Sequence, residues 1–148
     1  MYFTGTIGEA VVTVASGKTF ITTAAKVTGK TINGAGTVAI TALNGTANAD
    51  LSNITASSVT AAVDDDVTFT GTIGEAVVTV ASGKTFTTTA AKVNGETLNG
   101  AGTVAITALD ATADADLSKI TASSVTANVA NDVTFTGIIG STVVSVHS

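Results

Sequence analysis

No cysteine, proline, tryptophan or arginine occurs in these 148 residues, and histidine occurs once, at position 147. Each gap removes a class of function. Without cysteine there is no disulfide scaffold and no thiolate metal site. Without arginine, and with a net charge of -5, there is no basic stripe to neutralise phosphates, so nucleic acid is not expected as a partner. Nucleophilic catalysis needs a base beside the nucleophile. The lone imidazole, His147, reads as a tail residue, so the chain is not expected to be an enzyme.

Charge and aromatic content are low as well. Asp, Glu, Lys and Arg make up 11% of the chain, against about 25% in ordinary soluble domains. Aromatics make up 4%, too few for the stacking platforms that glycan-binding surfaces use. No apolar run approaches the ~18 residues needed to span a bilayer, because Gly, Thr and Asp interrupt every stretch. The start, Met1-Tyr2-Phe3-Thr4-Gly5, does not read as a signal peptide.

What the chain does contain is a repeat. Phe3 to Phe20 recurs unchanged at Phe69 to Phe86, and residues 1–66 and 67–132 differ at 13 of 66 positions. A third copy opens at Val133 and runs to Ser148. The expected organisation is therefore repeat 1 over 1–66, repeat 2 over 67–132 and a partial repeat 3 over 133–148, the last a cap or an overlap between subunits. Six of the 13 differences exchange one polar residue for another, among them Thr28 for Asn94, Lys30 for Glu96 and Asn53 for Lys119. Apolar positions hardly change, Ile32 for Leu98 being the main exception. That contrast is expected when the apolar set packs inward.

Periodicity gives the secondary structure. Val67-Thr-Phe69-Thr, Val78-Thr-Val80, Val104-Ala-Ile106-Thr and Val125-Thr-Ala127-Asn-Val129 alternate an apolar residue with a small or polar one, which is the period of a strand. Turn residues punctuate them at 81–84, 94–96, 99–102 and 131–132. Thr87 to Val93 is the one stretch with helical potential, and its three threonines and following Asn-Gly argue against it. The chain is expected to be all-β. Two architectures fit: a β-solenoid of 66-residue repeats, wound as a right-handed parallel β-helix with about three coils of ~22 residues per repeat, or tandem small β-sandwich domains. The solenoid is preferred. Continuous ladders leave no room for proline, whose missing N–H breaks them. A sandwich made from a single copy of the repeat would have a thin core.

Three phrases carry a resemblance: Gly83-Lys-Thr-Phe-Thr-Thr-Thr-Ala-Ala, Asn99-Gly-Ala-Gly-Thr-Val-Ala-Ile-Thr and Ala115-Asp-Leu-Ser-Lys-Ile-Thr. They resemble the Thr/Ala/Val-rich β-strand repeats of large secreted or surface-anchored bacterial proteins, among them adhesins and S-layer-like proteins. The resemblance implies an extracellular or cell-surface location and a spacer, stalk or end-to-end filament role. The alternative it implies is an adhesin segment that binds a glycan or protein. End-to-end strand stacking would make the expected partner a second copy of the chain; membrane insertion is not expected.

One polar set has the chemistry of a hard-cation site. Asp110, Asp114 and Asp116, with Asn44, Asn48 and Asp50 at the matching positions of the first copy, are all oxygen ligands of the kind calcium takes. Alternate residues of an extended segment project from one face, which would bring 114 and 116 together. A solvated turn is the competing reading. Asp64-Asp65-Asp66 keeps only its last residue in the second copy, as Asp132, and reads as a turn that bonds its own backbone. Thr68-Phe-Thr70-Gly-Thr72 has the Thr-x-Thr form of ice-binding rows, but occurs once per repeat.

Overall fold

A computed structural model of the chain describes residues 2–146; His147 lies outside them. The elements follow the period-two segments. In chain order they are β1 (Val12–Thr13), β2 (Thr19–Thr23), β3 (Ile32–Thr41), β4 (Ile54–Val63), β5 (Val67–Thr68), β6 (Val77–Val80), β7 (Thr85–Thr89), β8 (Leu98–Gly100), β9 (Thr103–Thr107), β10 (Ser124–Val129) and β11 (Val143–Val146). Among the described residues, helical structure is confined to two single turns, α1 (Ala24–Val27) and α2 (Ala90–Val93), and two short 3-10 turns at Leu43–Gly45 and Leu109–Ala111. The fold is mostly β, with parallel sheets.

The α2 turn corrects the expectation of strand or coil through Val93. Thr85–Thr89 is extended, as the threonines demand, and the next four residues turn as a helix. Ala90 and Val93, three apart and so on one side of a helical turn, are both fully buried. Burial of that pair, and not intrinsic propensity, decides the conformation; α1 repeats it with Ala24 and Val27.

Pairing between named strands is parallel throughout. The partners are close in sequence. Thr60 faces Val77 and Asp50 faces Thr72, and these mark the shortest and the longest steps among the pairs. Six strands form one sheet in the order β1-β3-β4-β6-β8, with β2 also beside β3; five form a second in the order β11-β10-β9-β7-β5. Alternate side chains turn inward. In β9, Val104 and Ile106 are buried while Thr103 and Ala105 are partly exposed. A single apolar cluster runs from Val14 to Val129 and contains the Phe69 and Phe86 rings, whose centroids lie 5.3 Å apart.

The two copies do not occupy equivalent sheet positions. β2 lies in the six-stranded sheet, whereas its counterpart in the second copy, β7, lies in the five-stranded one. The run Asn33 to Thr41 is identical to Asn99 to Thr107, yet it is one strand in β3 and two, β8 and β9, in the second copy. The weak point is the same in both. In β3 the register shifts between Gly34 and Thr37; in the second copy the chain bends at Ala101-Gly102. Gly34 and Gly100 have φ of +112° and +111°, and a Cβ on either would collide with the carbonyl oxygen of Val14 or Val80 in the adjacent strand. These two positions therefore require glycine.

Candidate functional site

The structure does not gather the acidic and amide residues singled out for calcium. Asp110 sits in the second 3-10 turn, where one carboxylate oxygen accepts a 2.6 Å hydrogen bond from the Asn131 side-chain amide; this bond holds its carboxyl below the usual carboxylate range. Asn44, its counterpart, accepts from the backbone N–H of Asp64 at 3.0 Å. Asp116 accepts from the backbone N–H of Ser118 at 2.9 Å, and Asp50 from that of Ser52 at 3.0 Å. Both carboxyls are lowered, first by hydrogen bonding from the serine side chain and then from its backbone. Asp114 and Asn48 lie on the intervening turn, away from these bonds. Among the described residues no three His, Cys, Asp or Glu side chains cluster closely enough to hold a metal ion. Asp50 and Asp116 thus close local turns, and Asp110 reaches a residue distant in sequence, a difference invisible in a list of oxygen donors.

A second polar group was not anticipated. Glu75, Glu96 and Lys119 line one small polar cleft, and Glu9 and Lys30 line its counterpart in the first copy. The Lys30/Glu96 difference between copies thus places two carboxylates together in the second. Burial, and then the Glu75 charge, push the Glu96 carboxyl up, with Lys119 opposing. The signal was present in the sequence as a charge reversal, but only the fold places position 96 beside 75.

The most elaborate polar construction lies where the first copy passes into the second. Asp65 pairs with Lys84 at 2.9 Å, and this hydrogen bond lowers the Asp65 carboxyl and raises the Lys84 ammonium. Asp66 accepts the Thr85 backbone N–H at 2.7 Å, and Val63 accepts that of Ala81 at 2.9 Å. Beneath them Thr88, almost fully buried, donates its hydroxyl to the Phe69 carbonyl at 2.9 Å, and Thr107 donates to the Thr88 carbonyl at 3.1 Å. The acidic run 64–66 therefore bonds mainly to residues distant in sequence, Asp64 to Asn44, Asp65 to Lys84 and Asp66 to Thr85. Only one contact matches the expected local turn, the Asp66 N–H donating to Asp65.

At the opposite extreme of the first copy the corresponding residues are less covered, Phe3, Val12 and Phe20 being half-buried. Phe3, Val12, Val14, Lys18 and Phe20 line an apolar cavity of about 390 Å³. The Thr-x-Thr row at 68–72 is matched by a neighbouring threonine at Thr68, which faces Thr87, but not at Thr72, which faces Asp50. Further outward threonines are Thr85, Thr87 and Thr89 of β7, with Thr103 and Thr107 opposite Thr85 and Thr89.

No family model matches the chain, and neither the curated proteins nor the solved structures contain a match.

Proposed function

We propose that the chain is a β-solenoid module with a structural, non-catalytic role: a spacer or stalk segment of a protein at the cell surface or outside the cell. The observation that carries this reading is the pairing pattern. Every ladder between the named strands is parallel, and the steps run only from that of Thr60 to Val77 up to that of Asp50 to Thr72. Such steps are expected when a chain passes over itself about three times per copy of the repeat. Right-handed winding follows from the hand that parallel crossovers take. A tandem of sandwiches would instead pair strands antiparallel within each copy.

The remaining features fit a module that transmits length. Threonine hydroxyls and turn carboxylates are bonded to adjacent chain levels, and the apolar cluster is continuous through the boundary at 66/67. The composition and the resemblance to surface repeats support the location. The test is growth in one dimension. A protein carrying two further copies of the repeat should lengthen by six strand spacings, about 29 Å at ~4.8 Å each, with an unchanged cross-section in small-angle scattering. Scattering that resolves separate compact bodies on a flexible string would overturn the proposal.

A further inference from the structure

Four Asn-Gly pairs occur in the chain, at 33–34, 44–45, 94–95 and 99–100. Such a pair can react with itself. The glycine nitrogen, once it has lost its proton to water, attacks Cγ of the asparagine amide; a C–N bond forms and ammonia leaves. Water then opens the cyclic imide at either carbonyl, giving aspartate or isoaspartate. The attacking nitrogen must be released from its hydrogen bond, and the backbone must be free to bring it to Cγ.

At three of the four pairs the fold needs the glycine and holds both partners. Gly34, Gly95 and Gly100 have φ of +112°, +72° and +111°, a region that L side chains avoid. Asn33 and Asn99 lie in β3 and β8, and their side-chain oxygens accept the Thr13 and Thr79 hydroxyls at 2.9 and 2.8 Å. The backbones of Gly34 and Gly100 are wedged against Val14 and Val80. Asn94 and Gly95 are both fixed by one distant residue. The Asn94 side-chain oxygen accepts the Asp116 N–H, and the Gly95 N–H donates to the Asp116 carbonyl, each at 2.8 Å.

Asn44-Gly45 differs on these counts. The φ of Gly45 lies outside the left-handed range, and a Cβ there would meet nothing within 4 Å. The second copy shows that this turn does not need glycine. Asp110-Ala111 replaces Asn44-Gly45, and the turn keeps its bonds: the N–H groups of Gly45 and Ala111 donate to Ala42 and Ala108 at 3.0 and 3.2 Å. This local bond, of the poorer 3-10 kind, is what ties the N–H of the exposed Gly45. The Asp64 N–H donates to the Asn44 side-chain oxygen at 3.0 Å. Charge develops on that oxygen as the nitrogen attacks, so the donor favours the reaction.

We propose that Asn44-Gly45 is a self-modification site, at which the chain replaces an amide with a carboxylate beside Asp64. The aspartate product has a place in the fold, since Asp110 occupies the equivalent turn. Its charge lacks a partner. Asp110 receives the Asn131 amide at 2.6 Å, but the residue equivalent to Asn131 in the first copy is Asp65. Modification therefore sets acid against acid where the first copy passes into the second.

The test is timed incubation of the whole chain in mildly alkaline buffer, folded and in urea, with fragment mass spectrometry at each asparagine. In urea the four pairs should convert alike. In the folded chain residue 44 should convert well ahead of 33, 94 and 99; equal rates, or conversion first at 94, would overturn the assignment. Gly45→Ala, a change the second copy shows the turn accepts, should leave the circular dichroism unchanged. It should slow conversion at 44 by about tenfold, equivalent to ~1.4 kcal/mol on the barrier; an unchanged rate would exclude attack by the residue 45 nitrogen. The charge conflict has its own readout. Asn44→Asp should lower the melting temperature, and Asp65→Asn should cost less in that background than in the parent. Additive losses would overturn the conflict with Asp65.

Discussion

Replacing Gly100 with alanine tests the close passage of β6 over β8. Gly100 has a φ of +111°, and its added Cβ would strike the Val80 carbonyl oxygen and crowd the Val80 nitrogen. Two costs combine. Holding an alanine in a backbone region that L residues rarely adopt costs about 1–3 kcal/mol, and forcing an extra carbon against packed backbone costs about 1–3 kcal/mol more. A loss on the order of 4 kcal/mol is expected, which is close to a thousandfold in the folded-to-unfolded ratio. Gly83 is the control. Its φ is +73°, and a Cβ there would meet nothing within 4 Å, so alanine should cost only about 1–2 kcal/mol, the left-handed penalty alone. Urea unfolding of both variants, with the midpoint and slope compared with the parent, measures the difference. Equal losses at the two positions would refute the close approach, since only the dihedral penalty would then be operating. Gly34→Ala should match Gly100→Ala, as the same contact recurs with Val14.

Phe86→Ala, which empties a fully buried site beside Phe69, should cost about 3–5 kcal/mol by the same urea measurement; Phe20→Ala, at the half-covered cavity, should cost less. Thr88→Val keeps the shape but removes the hydroxyl bonded to the Phe69 carbonyl, and a loss of about 1–2 kcal/mol is expected. Glu96 titrates above its ordinary value because of burial and then Glu75. The native state therefore holds its proton more tightly than the unfolded chain does, and its contribution to stability falls as pH rises from the ordinary glutamate value through the folded one. Glu96→Lys, which restores the residue of the first copy, should abolish that decline in melting temperature measured against pH. Asp65, lowered by its hydrogen bond from Lys84, acts in the opposite sense: its contribution is present above the ordinary aspartate value and lost as pH falls through the folded one. Asp65→Asn should make that acid limb of the same profile shallower, Asp50, Asp110 and Asp116 supplying the rest. Millimolar calcium should leave the melting temperature unchanged, because Asp110 and Asp116 already bond within the chain; a rise would reveal a bound ion.

Much of this protein is set locally. Alternating Val, Ile and Thr dictate extended segments and the Ser-Gly pairs and Asn94-Gly95 dictate turns, whereas Asn33-Gly34 and Asn99-Gly100, also expected to turn, lie in strands; the near-identity of residues 1–66 and 67–132 gives both copies a similar run of elements but not the same sheet positions. The inward set was legible in the same alternation: Val104, Ile106, Val125 and Ala127 are all buried.

Three things needed the tertiary structure. The identity of each strand's partner was one, because a period of two is the same whether the neighbour runs parallel or antiparallel. Pairings such as Thr60 with Val77 and Val78 with Leu98, parallel and a short way along the chain, are what support the proposed winding over closure into a sandwich. The conformation of Ala90–Val93 was another, since burial of Ala90 and Val93 at a corner outweighs the threonines before them. The last was the meaning of the carboxylates. Asp65, Asp66 and Asp110 looked like turn residues or cation ligands because their spacing along the chain is short. Their partners Lys84, Thr85 and Asn131 are well removed in sequence, and that separation becomes contact only through the parallel pairing of the folded chain.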